Sequence, residues 1–142
     1  MALDINGPDL PTPETEALLG AHLIAEATMA AHFVVVAEAA GLSHDEINRH
    51  LVEMAARTGL EFWITDEKGR AYLRSQPAVQ FRFNPDPAVQ PQASAFWPVL
   101  TGEVDFYVQV AHVREIDNRV FKYAAVAGID KPRIVQVGVE IT

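Results

Sequence analysis

Apolar positions along the chain keep a helical spacing in the first third and alternate through most of the remaining two thirds. From residue 13 to about residue 40 they recur every three or four residues, which predicts a helix. Leu18, His22, Ala25, Met29, Phe33 and Val36 fall on one stripe, Leu19, Leu23, Ala27, Ala30 and Val34 on a second, and Ile24 and Val35 lie away from both. Thr12 offers a hydroxyl cap, Pro13 suits the first turn, and Glu14 and Glu16 sit near the positive end of the helix dipole. Gly41 is the stop. A helix that is apolar on nearly every side needs cover on more than one side. The cover is either a second helix of the same chain or a second copy, and the expectation is a homodimer seam.

Ser43 and Glu46 have the spacing of a capping box and open a second helix over residues 44–58, with Ile47, Leu51, Met54 and Ala55 on one face and Gly59 at its end. The period then drops to two. Phe62 and Ile64 alternate with Glu61, Trp63 and Thr65. A turn through Asp66, Glu67, Lys68 and Gly69 comes next, and then Ala71 and Leu73 alternate with Arg70, Tyr72 and Arg74. That is a hairpin with one apolar face and one aromatic, basic face. Residues 79–83 read as a short further strand, 84–92 as a Pro-rich loop, and 93–100 as a short helix carrying Phe96 and Trp97. Residues 104–140 hold three β-rich runs separated by two short breaks, an antiparallel meander. The predicted fold class is α+β: an antiparallel sheet of about five strands, backed by the long N-terminal helix and the second helix. Residues 1–12 are expected to be an irregular arm, and 13–142 a single domain.

A chain of 142 residues can bury a full core without staples. It has no cysteine, so disulfides, thiol nucleophiles and cysteine-based zinc sites are excluded. The net charge of -8 and the lack of any run of Lys and Arg argue against nucleic acid and against an electrostatic membrane anchor. Residues 1–16 lack the basic start of a signal peptide. Residues 17–36 are apolar enough to raise the question of a membrane span. Glu26 lies in their middle, though, and a carboxylate there costs roughly 2–4 kcal/mol on insertion scales. A buried helix is the expectation, with no membrane span. A complete chain of this kind would be cytoplasmic; as a fragment of a membrane receptor it would be an extracytoplasmic sensor.

Strand alternation nominates a pocket. Trp63, Tyr72 and Arg74 project from the hairpin's non-core face if Phe62, Ile64 and Leu73 face the core. Tyr107 and Gln109 share a face, and Gln136 is a lone amide in a Val-rich run. A buried polar side chain needs a partner, which a ligand can supply. Arg74 or Lys122 would pair with a ligand carboxylate while Trp63 and Tyr72 pack its apolar part. The competing reading places Lys122 on a solvated edge and the aromatics in the core. Asp130 would take a ligand amine or act as a turn residue. Phe96 and Trp97 would form a lid or pack the short helix onto the sheet. His22 and Glu26 have metal-ligand spacing, and His32 lies further along, but closed metal sites need three or four ligands, so no metal and no cofactor is expected. His112 and Asp105, seven residues apart, are on opposite faces of any one strand and about 23 Å apart by strand rise, so they form no acid–base pair there. No serine elbow, phosphate loop or metalloprotease helix motif is present.

Three segments, FWITDEKGRAYL, QPQASAFWPVLTG and REIDNRVFKYAAVAGIDKPRIVQVG, together resemble the Cache sensor domains, a PAS-like superfamily of bacterial methyl-accepting chemotaxis proteins and sensor kinases. The likeness runs from the long first helix to the last strand. It implies a PAS-like curved sheet backed by the long helix, with a small ligand such as an amino acid or carboxylate on the other face, and a dimer. It implies binding rather than catalysis. The family's flanking membrane spans are not matched, nor cleanly its aromatic–arginine–tryptophan amine motif. Two other readings stand beside it: a small enzyme of the ketosteroid-isomerase-like cone fold, and a dimerisation module with a filled sheet face.

Overall fold

The computed structural model describes residues 10–114 and 116–142. Most of the expected arm, residues 1–9, lies outside the described residues, as does Glu115 in the first of the two breaks between the β-rich runs.

Helix α1 spans Pro13–Ala39. The Thr12 side chain accepts a hydrogen bond from the Thr15 N–H, and Gly41 follows the helix with a positive φ. Helix α2 spans His44–Thr58 with both halves of the Ser43–Glu46 capping box formed, and Gly59 ends it in the left-handed region. Strands β1 (Leu60–Thr65) and β2 (Ala71–Arg74) form the hairpin. Residues 79–83 do not form the expected strand. They contribute an isolated bridge between Arg70 and Arg82, and Phe83 turns into the interior. A 3₁₀ turn, Ala93–Phe96, runs directly into helix α3, Trp97–Thr101.

The first of the three C-terminal runs is interrupted. It gives β3 (Phe106–Val108) and β4 (His112–Val113), both paired antiparallel with β5 (Val120–Ala127). Strand β6 (Ile134–Glu140) pairs with β5 on one side and with β1 on the other. The sheet order is therefore β2-β1-β6-β5-β3, with β4 also on β5. The last strand to be made closes the sheet, joining the hairpin to the meander. Its centrality follows from its residues: Ile134, Val135 and Val137 are fully buried, as suits a strand with neighbours on both sides.

The two faces of the sheet do different work. On one face Phe62, Ile64, Leu73, Ala124, Val126, Val135 and Val137 meet Leu23, Ala27, Ala30 and Val34 of α1 and Ile47 and Leu51 of α2. The second stripe read from the sequence is thus the core stripe. Alanine and glycine let α1 approach closely: a Cβ at Gly20 would stand 2.9 Å from Val108 Cγ1. Each end of α1 is tied down by a buried cation. Lys122 Nζ donates to a Glu16 carboxylate oxygen and, at 3.0 Å, to the Gln109 carbonyl, while the Ala111 N–H donates to the same Glu16 carboxylate. Arg133 donates to Glu38 at 3.0 Å and to the Tyr72 hydroxyl at 2.9 Å, and that hydroxyl donates to Glu38.

Of the other stripe of α1, Leu18, His22, Ala25, Met29 and Val36 are exposed, as is His32 beside them, while Phe33 is half-buried, edge-on to His50 of α2.

Candidate functional site

The face of the sheet away from α1 is only partly filled. A second core of Phe83, Phe96, Val99, Leu100, Ala125 and Ile134 occupies one end. Beside it lies a cavity of about 410 Å³. Trp63, Gln136 and Tyr123 form its sheet wall, Phe81, Phe83 and Phe96 its apolar end, and Gln109, His112 and Arg114 the side towards β4. The 79–93 segment arches over it. Glutamines hold that arch: Gln90 donates to the Arg82 carbonyl and accepts from the Asn84 N–H, Gln92 donates to the Val113 carbonyl, and Gln109 Nε2 donates to the Gln92 carbonyl at 2.9 Å.

Register explains the sheet wall. Trp63 lies opposite Gln136, which lies opposite Ala125, so a large ring, an amide and a methyl stand in one row. The small residue leaves the hollow. In the next row Glu61, Gly138 and Tyr123 are aligned. A Cβ on Gly138 would come within 2.3 Å of Tyr123 Cε1, so the glycine lets the tyrosine ring lie across β6. The Tyr123 hydroxyl then reaches Glu61 at 2.8 Å.

Glu61 is the hub of a buried polar cluster behind the cavity. Besides Tyr123, it accepts from Trp63 Nε1 at 2.6 Å, from the Gln76 amide, and from Arg114 at 2.9 and 3.0 Å. Arg114 also donates to the Tyr123 hydroxyl and makes two hydrogen bonds to Asp117, with its guanidinium 3.6 Å from the centroid of the Phe121 ring. Asp117 is shared with Arg119, which reaches on to Glu140. Burial opposes the charge on Arg114, but the Asp117 hydrogen bond and the nearby Tyr123 and Glu61 outweigh it and raise the pKa. The Arg114 hydrogen bond holds the Asp117 carboxyl well below the usual carboxylate range. Burial, then the Glu61 charge, push the Tyr123 phenol far up, so it keeps its proton.

Of the sequence-nominated residues, the cavity brings together Trp63, Phe96, Gln109 and Gln136. The others lie elsewhere. Tyr72 is on the opposite face, because the pairing slips between Ile64 and Thr65 and leaves Tyr72 as an extra residue. Such a bulge re-aims a side chain, and Tyr72 packs edge-on to His44 and bonds Glu38. Arg74 donates to the carbonyls of Ala71 and Pro77 and borders a separate depression with Arg70 and Arg82. Lys122 is neither in the cavity nor on a solvated edge; it is buried against α1. Asp130 is a turn residue whose carboxylate pairs with Arg133. Trp97 packs over the β1–β2 turn, where a Cβ on Gly69 would stand 2.8 Å from its ring. Tyr107 supports the second core, its ring centroid 5.0 Å from that of Phe96.

Sequence reasoning missed Phe81, Phe83, His112, Arg114 and Tyr123 as lining residues. Tyr123 was visible by alternation, since it faces away from Lys122 on β5. Arg114 carries no periodic signal, because it sits just past the two-residue β4. No group of three or more His, Asp and Glu residues among those described is placed to hold a metal ion, and His22 and Glu26 remain an isolated pair on α1. Compared with known proteins, the chain matches no family model and no curated sequence.

Proposed function

We propose that this chain is a small-molecule-binding sensor domain of bacterial signal transduction, which holds one organic ligand on the sheet face opposite α1 without transforming it. The observation that carries the reading is the 410 Å³ cavity itself, bordered by aromatic rings and by a Gln136 amide with no protein hydrogen-bond partner among the described residues. Cavities of this size suit small ligands, and a few convergent polar groups in a mostly apolar wall are what fixes such a ligand's orientation. The resemblance to Cache domains supports the same face as the binding face and a chemoreceptor or sensor kinase as the setting.

The exposed stripe of α1 fits a second copy of the chain. Leu18, His22, Ala25, Met29, His32 and Val36 succeed one another at intervals of four, three, four, three and four residues. That is the seam spacing of paired helices, and the stripe holds no acid, Lys or Arg that would need water. A helix of 27 residues offers about 40 Å of seam. The homodimer would place two sheets on the outside of a central helix pair, with both cavities accessible.

The test is a thermal-shift screen of small organic molecules against the full chain, with hits followed by titration calorimetry. A specific ligand should raise the melting temperature of the parent, and Trp63→Ala should abolish that shift. If no molecule binds, or if every hit is insensitive to Trp63→Ala, the sensor reading is lost.

A further inference from the structure

We infer that the cavity selects an uncharged, planar molecule of one or two rings that carries an amide or ring N–H. This rests on the sensor reading and names the ligand class for that site. The disposition of the cations disfavours an anion. Arg114 is the sole Lys or Arg residue that borders the cavity among the described residues. Its charge is already paired: two carboxylates, Glu61 and Asp117, and the Tyr123 hydroxyl take four of its five N–H donors. The wider cluster sets Glu61, Asp117 and Glu140 against Arg114 and Arg119, one negative charge in excess. A ligand carboxylate would lose its water, meet among the described lining residues no cation that lacks a carboxylate partner, and approach a net negative group. Arg74 and Lys122, the cations that would otherwise answer it, do not border the cavity: Arg74 donates to the Ala71 and Pro77 carbonyls, keeps its Nε without a partner among the described residues and borders the separate depression, and Lys122 is paired with Glu16.

A ligand cation fares no better. No Asp or Glu lines the cavity among the described residues; Glu61 stands behind Trp63, Arg114 and Tyr123 with its oxygens taken.

What remains free is neutral, and most of it accepts. Gln109 spends its Nε2 on the Gln92 carbonyl, leaving its carbonyl oxygen. His112 Nδ1 lies 3.1 Å from the Val110 carbonyl, which can only accept. The proton is therefore on Nδ1, and in neutral imidazole Nε2 is an acceptor. Gln136 offers one acceptor and one donor group, both unused among the described residues, beside the Trp63 ring. Gln80 adds a second amide and Gln92, whose Nε2 is spent on the Val113 carbonyl, a third acceptor; together these groups call for a ligand that donates N–H bonds and accepts at least one. The rings of Trp63, Phe81, Phe83 and Phe96 supply flat apolar walls for its ring system.

The experiment uses three probes that share one ring system and differ in charge: indole-3-acetamide, indole-3-acetate and tryptamine, each titrated calorimetrically into the full chain at pH 7.5. The amide is expected to bind at least about tenfold more tightly than either charged twin. Gln136→Leu should weaken the amide by about tenfold while leaving the thermal melt of the free chain nearly unchanged. Gln136→Glu should reverse the order and favour tryptamine. If the acetate or tryptamine binds the parent as tightly as the amide, the neutral class is overturned, while a loss of that binding in Trp63→Ala would keep the cavity as a ligand site. If none of the three binds, this proposal falls, and the sensor reading is then decided by the broader thermal-shift screen.

Discussion

Replacing Glu61 by alanine tests the cluster that forms the back wall of the cavity. The residue is 6% exposed, and its side chain accepts hydrogen bonds from Trp63, Gln76, Arg114 and Tyr123. Removing it leaves a buried guanidinium with Asp117 as its remaining carboxylate and strands the Trp63 N–H and the Tyr123 hydroxyl. Breaking a buried ion pair from one side costs about 3–5 kcal/mol. For a chain of 142 residues, an unfolding entropy of about 2.1 cal/mol/K per residue gives about 0.3 kcal/mol per degree. Glu61→Ala should therefore lower the melting temperature by about 10–17 °C in differential scanning calorimetry. Glu61→Gln keeps the shape but puts an NH₂ group where the Gln76 and Arg114 donors already converge, so a loss of about 1–3 kcal/mol is expected. In a double replacement, Glu61→Met with Arg114→Met should melt above Arg114→Met alone, because the unpaired carboxylate is gone. A Glu61→Ala chain melting within about 3 °C of the parent would show that water reaches the cluster and that its burial does not stiffen the wall.

Gly138→Ala should destabilise the chain by about 1–3 kcal/mol, since the new methyl overlaps the Tyr123 ring; Tyr123→Phe should then cost less in that background than in the parent, because the hydroxyl has already left Glu61. Acid unfolding should report Asp117. Its folded-state pKa is depressed, first by Arg114, so its stabilisation is full above the ordinary carboxylate range and drains as pH falls through and below it. Asp117→Asn should flatten the acid limb of a plot of melting temperature against pH while having a smaller slope effect above about pH 6. Met29→Glu, in the middle of the exposed α1 stripe, should shift a dimer to monomer in size-exclusion chromatography with light scattering and leave the monomer's circular dichroism unchanged; a parent chain already monomeric at high concentration would remove the seam proposal.

Features encoded locally were legible in the sequence. Caps, glycine stops and periodicity located α1 and α2 to within a residue or two, because each signal acts within one turn of chain. The meander was legible from its alternation. What the sequence concealed depends on pairing between distant residues. The place of β6 between β1 and β5 is set by apolar runs that look alike until they are registered. The bulge at Tyr72 reverses one side chain without disturbing the alternating letters, and Leu73 next to it stays in the core. Lys122 reads like a surface residue on an edge; only the position of Glu16, 106 residues earlier, makes its burial tolerable. Gln136 was legible for the opposite reason: an amide in a Val-rich strand has no local explanation.

The placement of the cations bears on the proposed function. Nominating Arg74 and Lys122 assumed that a positive side chain on a strand is there to meet a ligand. In the folded chain the buried cations on the α1 face serve architecture: Lys122 fixes the start of α1 and Arg133 its end, both to carboxylates of the helix. The Lys122 contact also runs through the backbone carbonyl of Gln109, whose side chain borders the cavity. A ligand that drew on the Gln109 amide would therefore act on a residue whose main chain is bonded to the cation that holds the first turn of α1. This is a short physical connection, one residue and one ion pair long, between the hollow face of the sheet and the helix whose outer stripe would meet a second copy. It requires no movement of the well-packed core, in which Ala27, Val34, Ile64, Val135 and Val137 are fully enclosed. Any shift transmitted to α1 would pass at its N-terminal end, where Glu16 is held by one lysine and the Ala111 N–H, rather than at the C-terminal end, where Arg133, Tyr72 and Asp130 reinforce one another.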